Sequence, residues 1–115
     1  SRVNLYLAEF AVGRDNCAGA MDYLRVATAA QPNASRPHFL LGKCYLALKD
    51  LEKAKAELLT ALSSDPNDTQ THYFLAQVYR ELGDKKTSAL ELKEVQRLSA
   101  AEKEKTYQRA RTTPQ

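Results

Sequence analysis

The 115-residue sequence predicts an all-α solenoid of antiparallel helix pairs, seven helices in all. Three observations carry this: a 34-residue internal repeat, apolar residues spaced three or four apart within each copy, and polar or proline-containing breaks at matching offsets.

Shifting the chain by 34 residues brings small and apolar positions into register. Leu7, Leu41 and Leu75 form one column, followed directly by the small residues Ala8, Gly42 and Ala76. Ala11, Tyr45 and Tyr79 come next, then Ala20, Ala54 and Ser88. Leu24, Leu58 and Leu92 align, as do Ala27, Ala61 and Val95. His38 recurs as His72, and Pro32-Asn33 as Pro66-Asn67. Within a copy the leucine, small residue and tyrosine share one helical stripe, and the later Ala-Leu-Ala group forms a second. Two stripes separated by a polar break describe a pair of helices. The small columns let their backbones approach, and leucine and tyrosine fill the space alongside.

The breaks supply the ends. Gly13-Arg14-Asp15-Asn16, Lys49-Asp50 and Gly83-Asp84 separate paired helices, with Asp or Asn set to cap the second one. Gln31-Pro32-Asn33 and Asp65-Pro66-Asn67 separate units, proline stopping one helix before the next begins. Ser35 with Pro37, and Asp68, are the expected N-terminal caps of the following helices. The third unit has Leu98-Ser99-Ala100 in place of Pro-Asn. There Ser99-Ala100-Ala101-Glu102 has capping-box spacing and is expected to open a seventh, terminal helix over about residues 100–112. The domain reading is a single domain over 1–115, with units 1–34, 35–68 and 69–102.

Composition sets bounds on function. The chain is 43% hydrophobic and 27% charged, with a net charge of +3 from 17 basic and 14 acidic residues. The basic excess falls entirely in residues 69–115, and no basic stripe of the kind a nucleic-acid binder needs is evident. Lys103, Lys105, Arg109 and Arg111 are interrupted by Glu102 and Glu104, which describes a solvated helix face. No apolar run approaches the roughly 18 residues of a membrane span. Ser1 stands without an initiator Met, which leaves room for a removed signal or anchor; the compartment stays open, with the cytoplasm as the default.

Candidate chemistry is sparse. Cys17 and Cys44 fit no metal-ligand or CxxC spacing and read as reduced structural thiols. His38 and His72 share a repeat column, a packing position, with no third ligand at suitable spacing. No Walker-type loop, HExxH or GxSxG element is present, so neither catalytic residues, cofactor nor metal are expected. The sequons Asn33-Ala34-Ser35 and Asn67-Asp68-Thr69 coincide with inter-unit turns, where those residues serve turning and capping.

The 34-residue period, the Leu-small-x-x-Tyr pattern, the later alanine and the terminal proline resemble the tetratricopeptide repeat. The middle unit, 35–68, matches best; Ala11, Ser88 and Ala100 depart from the pattern. The resemblance implies a right-handed superhelix whose first helices line a concave groove, closed by a terminal capping helix. Mapped onto this chain, the groove positions are Leu5, Glu9 and Val12; Phe39, Lys43 and Leu46; and Tyr73, Gln77 and Arg80. Tyr6, Leu40 and Phe74 adjoin them, Arg2, Arg36 and Gln70 lie near the rim, and Tyr107 extends the row. Phe39, Tyr73, Phe74 and Leu5 are expected to supply affinity, and Lys43, Glu9 and Arg80 orientation. A chaperone-tail carboxylate clamp is not expected, because Leu5, Glu9, Leu40, Gln70 and Phe74 stand where its Lys, Asn and Arg residues belong. The implied role is a scaffold for an unidentified protein or peptide. The alternative is homo-oligomerisation through the same apolar surface.

Overall fold

The computed structural model describes residues 17–112. Among them are five helices and no strand: α1 Cys17–Ala30, α2 Ser35–Ala47, α3 Leu51–Ser64, α4 Thr69–Glu81 and α5 Lys85–Thr112. The helix expected ahead of α1 lies outside the described residues. The helices stack in chain order. α2 packs on α3 and α4 on α5, with α3–α4 and α1–α2 contacts joining the pairs.

Local chemistry accounts for the ends. Gln31–Ala34 and Asp65–Asp68 are tight turns, closed by Ala34 N–H to the Gln31 carbonyl and Asp68 N–H to the Asp65 carbonyl. Each has proline at its second position, where a fixed φ suits the turn. α2 and α4 both end in a Schellman motif, Asp50 N–H reaching Tyr45 O and Asp84 N–H reaching Tyr79 O. The residues that turn left-handed there are Lys49 (φ 64) and Gly83 (φ 89), 34 positions apart. Asp68 caps α4, accepting from Gln70 N–H and from the Thr71 hydroxyl at 2.6 Å. Asp84 does the same for α5 through Thr87.

Three local expectations are corrected. Ser35 is not a cap but the first residue of α2; Ala34 holds the cap position with extended backbone and no side-chain bond. Asp50 precedes α3 but makes no capping bond from its side chain. The terminal helix is not separate either: α5 runs unbroken for 28 residues through Ser99–Glu102. At Ala100, the counterpart of Pro66, every residue keeps its N–H and nothing interrupts the hydrogen-bond ladder. Of the seven helices expected, one lies outside the described residues and the last two are a single helix, so residues 17–112 hold five. At about 1.5 Å per residue α5 is roughly twice as long as α4, and residues 100–109 lie exposed beyond it.

The repeat columns form the core. Ala20, Leu24, Ala54, Leu58 and Leu75 are fully buried, with Leu41 and Ala61 beside them. Ser88, in an alanine column, stays buried because its hydroxyl donates to the Ala76 carbonyl at 2.7 Å. Among the described residues no helix is long and apolar enough to cross a membrane.

Candidate functional site

The first helices of the two fully described pairs, α2 and α4, lie side by side and share a shallow depression. Lys43, Leu46 and Ala47 of α2 line one wall, with Lys49 just beyond the helix. Phe74, Gln77, Arg80 and Glu81 of α4 line the other. A second depression adjoins it, where Tyr73, Gln77 and Arg80 face Ser88 and Leu92 of α5. The structure thus brings together Lys43, Leu46, Tyr73, Phe74, Gln77 and Arg80. Leu5, Tyr6, Glu9 and Val12 lie outside the described residues.

Phe39 and Leu40 depart from the expected floor. Each is only 2% exposed. The Phe39 ring meets the Phe74 ring edge-on at 5.6 Å, under the Arg36 guanidinium at 5.1 Å. Repeat position explains the burial. Phe39 is sealed because α4 stacks against α2, whereas its counterpart Tyr73, on the last first-helix, is 45% exposed. These two residues support the surface from beneath.

The aromatic surface is continuous. Tyr73 packs edge-on against Phe74 at 5.4 Å. The Lys43 ammonium sits over both the Phe39 and Phe74 rings, at 5.8 and 5.3 Å, which holds a cation at the mouth of the depression. Among the described residues neither Lys43 nor Arg80 has a carboxylate within ion-pair distance. Lys49 and Glu81 pair across the rim at 2.7 Å and cancel each other. Sequence reasoning missed this pair, along with Ala47 and Leu92. The 34-residue register could have found Leu92, since it shares a column with Leu58.

Other candidate residues are structural. The His38 and His72 rings each bond a carboxylate of their own unit and a backbone carbonyl of the turn just before it. Both cysteines are buried; burial pushes the Cys44 thiol up, and its hydrogen bond with Cys17 adds to the rise. Among the described residues no group of three or more His, Cys, Asp or Glu side chains could hold a metal.

Two family models described as tetratricopeptide repeat match the chain, over residues 11–78 and 69–102, the longer one covering more than half of it. The chain belongs to the tetratricopeptide repeat family. Solved structures agree in fold. MamA from Desulfovibrio magneticus RS-1 superposes with a TM-score of 0.80 at 24% identity, covering 85% of this repeat protein and 55% of that chain. The Yersinia enterocolitica type III secretion translocator chaperone SycD gives 0.81 at 16% identity, covering 84% and 67%. A further MamA crystal structure gives 0.80 at 14%, with 84% and 57% covered. The repeat protein thus spans little more than half the length of these two MamA chains. Comparison with curated protein sequences returns no match.

Proposed function

We propose that this repeat protein is a non-catalytic scaffold that holds a peptide or protein segment across α2 and α4. The carrying observation is a pair of adjoining depressions that bring exposed Tyr73 and partly exposed Phe74 together with two cations, Lys43 and Arg80, that lack carboxylate partners among the described residues. An aromatic surface with unneutralised positive charge suits a segment that offers apolar anchors and acidic side chains. Gln77 adds hydrogen-bonding capacity between them. In this reading Leu5, Tyr6 and Glu9 continue the surface, Phe39 and Leu40 underlie it, and the units divide after Ala34 and Asp68. SycD, similar in fold, is described as a chaperone, a protein-binding role, which supports the class of function.

The test is capture from native extract on wild type and on Tyr73→Ala/Arg80→Glu, with folding checked by circular dichroism. Both residues are exposed, so the variant is expected to fold. Truncating an anchoring aromatic costs about 2 kcal/mol or more, so a specific partner is expected to be lost. A partner retained at unchanged affinity by the folded variant refutes this reading.

A second reading, self-association, has its own observation. Leu58 is fully buried while its counterpart Leu92 is 43% exposed beside Tyr73. Sedimentation over a wide concentration range tests it; a monomer throughout dismisses it.

A further inference from the structure

His38 and His72 occupy the same repeat position, and the structure gives each the same surroundings. His72 Nδ1 lies 2.7 Å from Glu91 Oε1 and its Nε2 lies 2.8 Å from the Pro66 carbonyl. His38 Nδ1 lies 2.7 Å from Glu57 Oε1 and its Nε2 2.9 Å from the Pro32 carbonyl. In both cases the partners are a carboxylate and a backbone carbonyl. Neither can donate a proton.

We propose that His38 and His72 are twin proton latches. The doubly protonated ring of each ties the turn ahead of its unit to that unit's second helix, and loss of the proton opens one of the two bonds. The donor count carries this. A neutral imidazole has one N–H and one lone pair, so one acceptor would face that lone pair at hydrogen-bond distance. Only the imidazolium bonds both. At His72, which is buried, water has little access to replace the lost bond, whereas the His38–Pro32 bond is exposed.

Each latch joins three elements. The Pro66 carbonyl belongs to the turn between α3 and α4, His72 to α4 and Glu91 to α5. The Pro32 carbonyl, His38 on α2 and Glu57 on α3 repeat the arrangement. Since α2 and α4 line the depression, the latches govern how firmly those two helices are set.

The charged groups facing His72 come from α5: Glu91, in direct contact, and Glu94, which is also bonded to Arg97. On its own helix, Asp68 turns its carboxylate to Gln70 N–H and the Thr71 hydroxyl. His38 faces Glu57 from α3. Burial pulls the His72 pKa down, but the bonds to Glu91 and Pro66 and the charges of Glu91 and Glu94 outweigh it, and the net shift is upward. A raised folded-state pKa gives stability that is complete below the unfolded value and lost as pH rises through the folded one. The latch therefore closes on the acid side and opens on the alkaline side.

The experiment is imidazole nitrogen NMR on the wild-type chain across a pH series. At about pH 6, below the ordinary imidazole value, His72 is expected to show protons on both ring nitrogens. As pH rises, the amide signals of Asn67, Asp68 and Glu91 should move with the ring's own midpoint. A single neutral tautomer at that starting pH, or turn and α5 amides indifferent to the titration, overturns the proposal. Glu91→Gln keeps an acceptor oxygen and removes the charge. It is expected to lower the His72 midpoint by about one pH unit and leave the His38 signals in place. An unchanged midpoint also overturns it. If that variant fails to fold, the wild-type titration decides alone.

Discussion

Replacing Gly42 with alanine sets two opposing effects against each other, and the structure predicts which wins. Gly42 lies inside α2, where alanine is favoured over glycine by about 1 kcal/mol on helix propensity alone. A Cβ at this position, however, would stand 2.5 Å from Leu58 Cγ and 2.7 Å from Leu58 Cδ2, with the Ala54 carbonyl oxygen at 3.4 Å. Carbon atoms pack best at about 3.5–4.0 Å, so α2 and α3 would have to part by roughly 1 Å or Leu58 would have to turn away. Leu58 is fully buried in the core and has no open space to enter. Overpacking of this kind costs about 1–3 kcal/mol. Set against the propensity gain, the expected net loss is roughly 1 kcal/mol, a drop of about 4 °C in melting temperature. The same column tolerates alanine in α4 because Ala76 faces Leu92, which is part-exposed and can move. Urea unfolding followed by circular dichroism measures the difference. A Gly42→Ala protein more stable than wild type would refute the reasoning, because propensity would then have outweighed the contact. A double-mutant cycle with Leu58→Ala sharpens the test. The cavity left by Leu58 accepts the new methyl, so the double variant should lose less than the two single losses added together.

Asp68→Ala should cost about 1 kcal/mol by removing the α4 cap, while Asp50→Ala should cost much less, since Asp50 makes no capping bond. Equal losses in urea unfolding would contradict the cap geometry. Lys49→Gly relieves a left-handed backbone, worth about 1 kcal/mol, and gives up only an exposed pair with Glu81. A small gain in stability is expected, and a loss would show that the rim pair matters more than its exposure implies. Both cysteines should resist a disulfide thiol reagent in the native protein and react quickly in denaturant, because both are buried and the Cys44 thiol pKa is raised. Rapid native labelling of Cys44 would contradict its packing.

The paired stripes and the Pro-Asn turns were legible in the chain because each depends on residues within a turn or two of one another, and the 34-residue register because those local patterns recur. Part of the surface was legible through the family resemblance, which implies Lys43, Gln77 and Arg80 as groove positions once the repeat is aligned. Long-range contacts were not. Whether Phe39 or Tyr73 meets solvent depends on what stacks against each, although the two share a repeat column. The carboxylate partners of His38 and His72 lie 19 residues away on the next helix, beyond any local pattern.

Even the long α5 turns on this division. Ser99-Ala100-Ala101-Glu102 fits a helix start and a helix interior equally well, and without a proline the ladder continued. Sequence alone determined where this chain can bend and which residues recur. The tertiary structure decided which recurring residues are covered, because burial depends on the neighbouring helix.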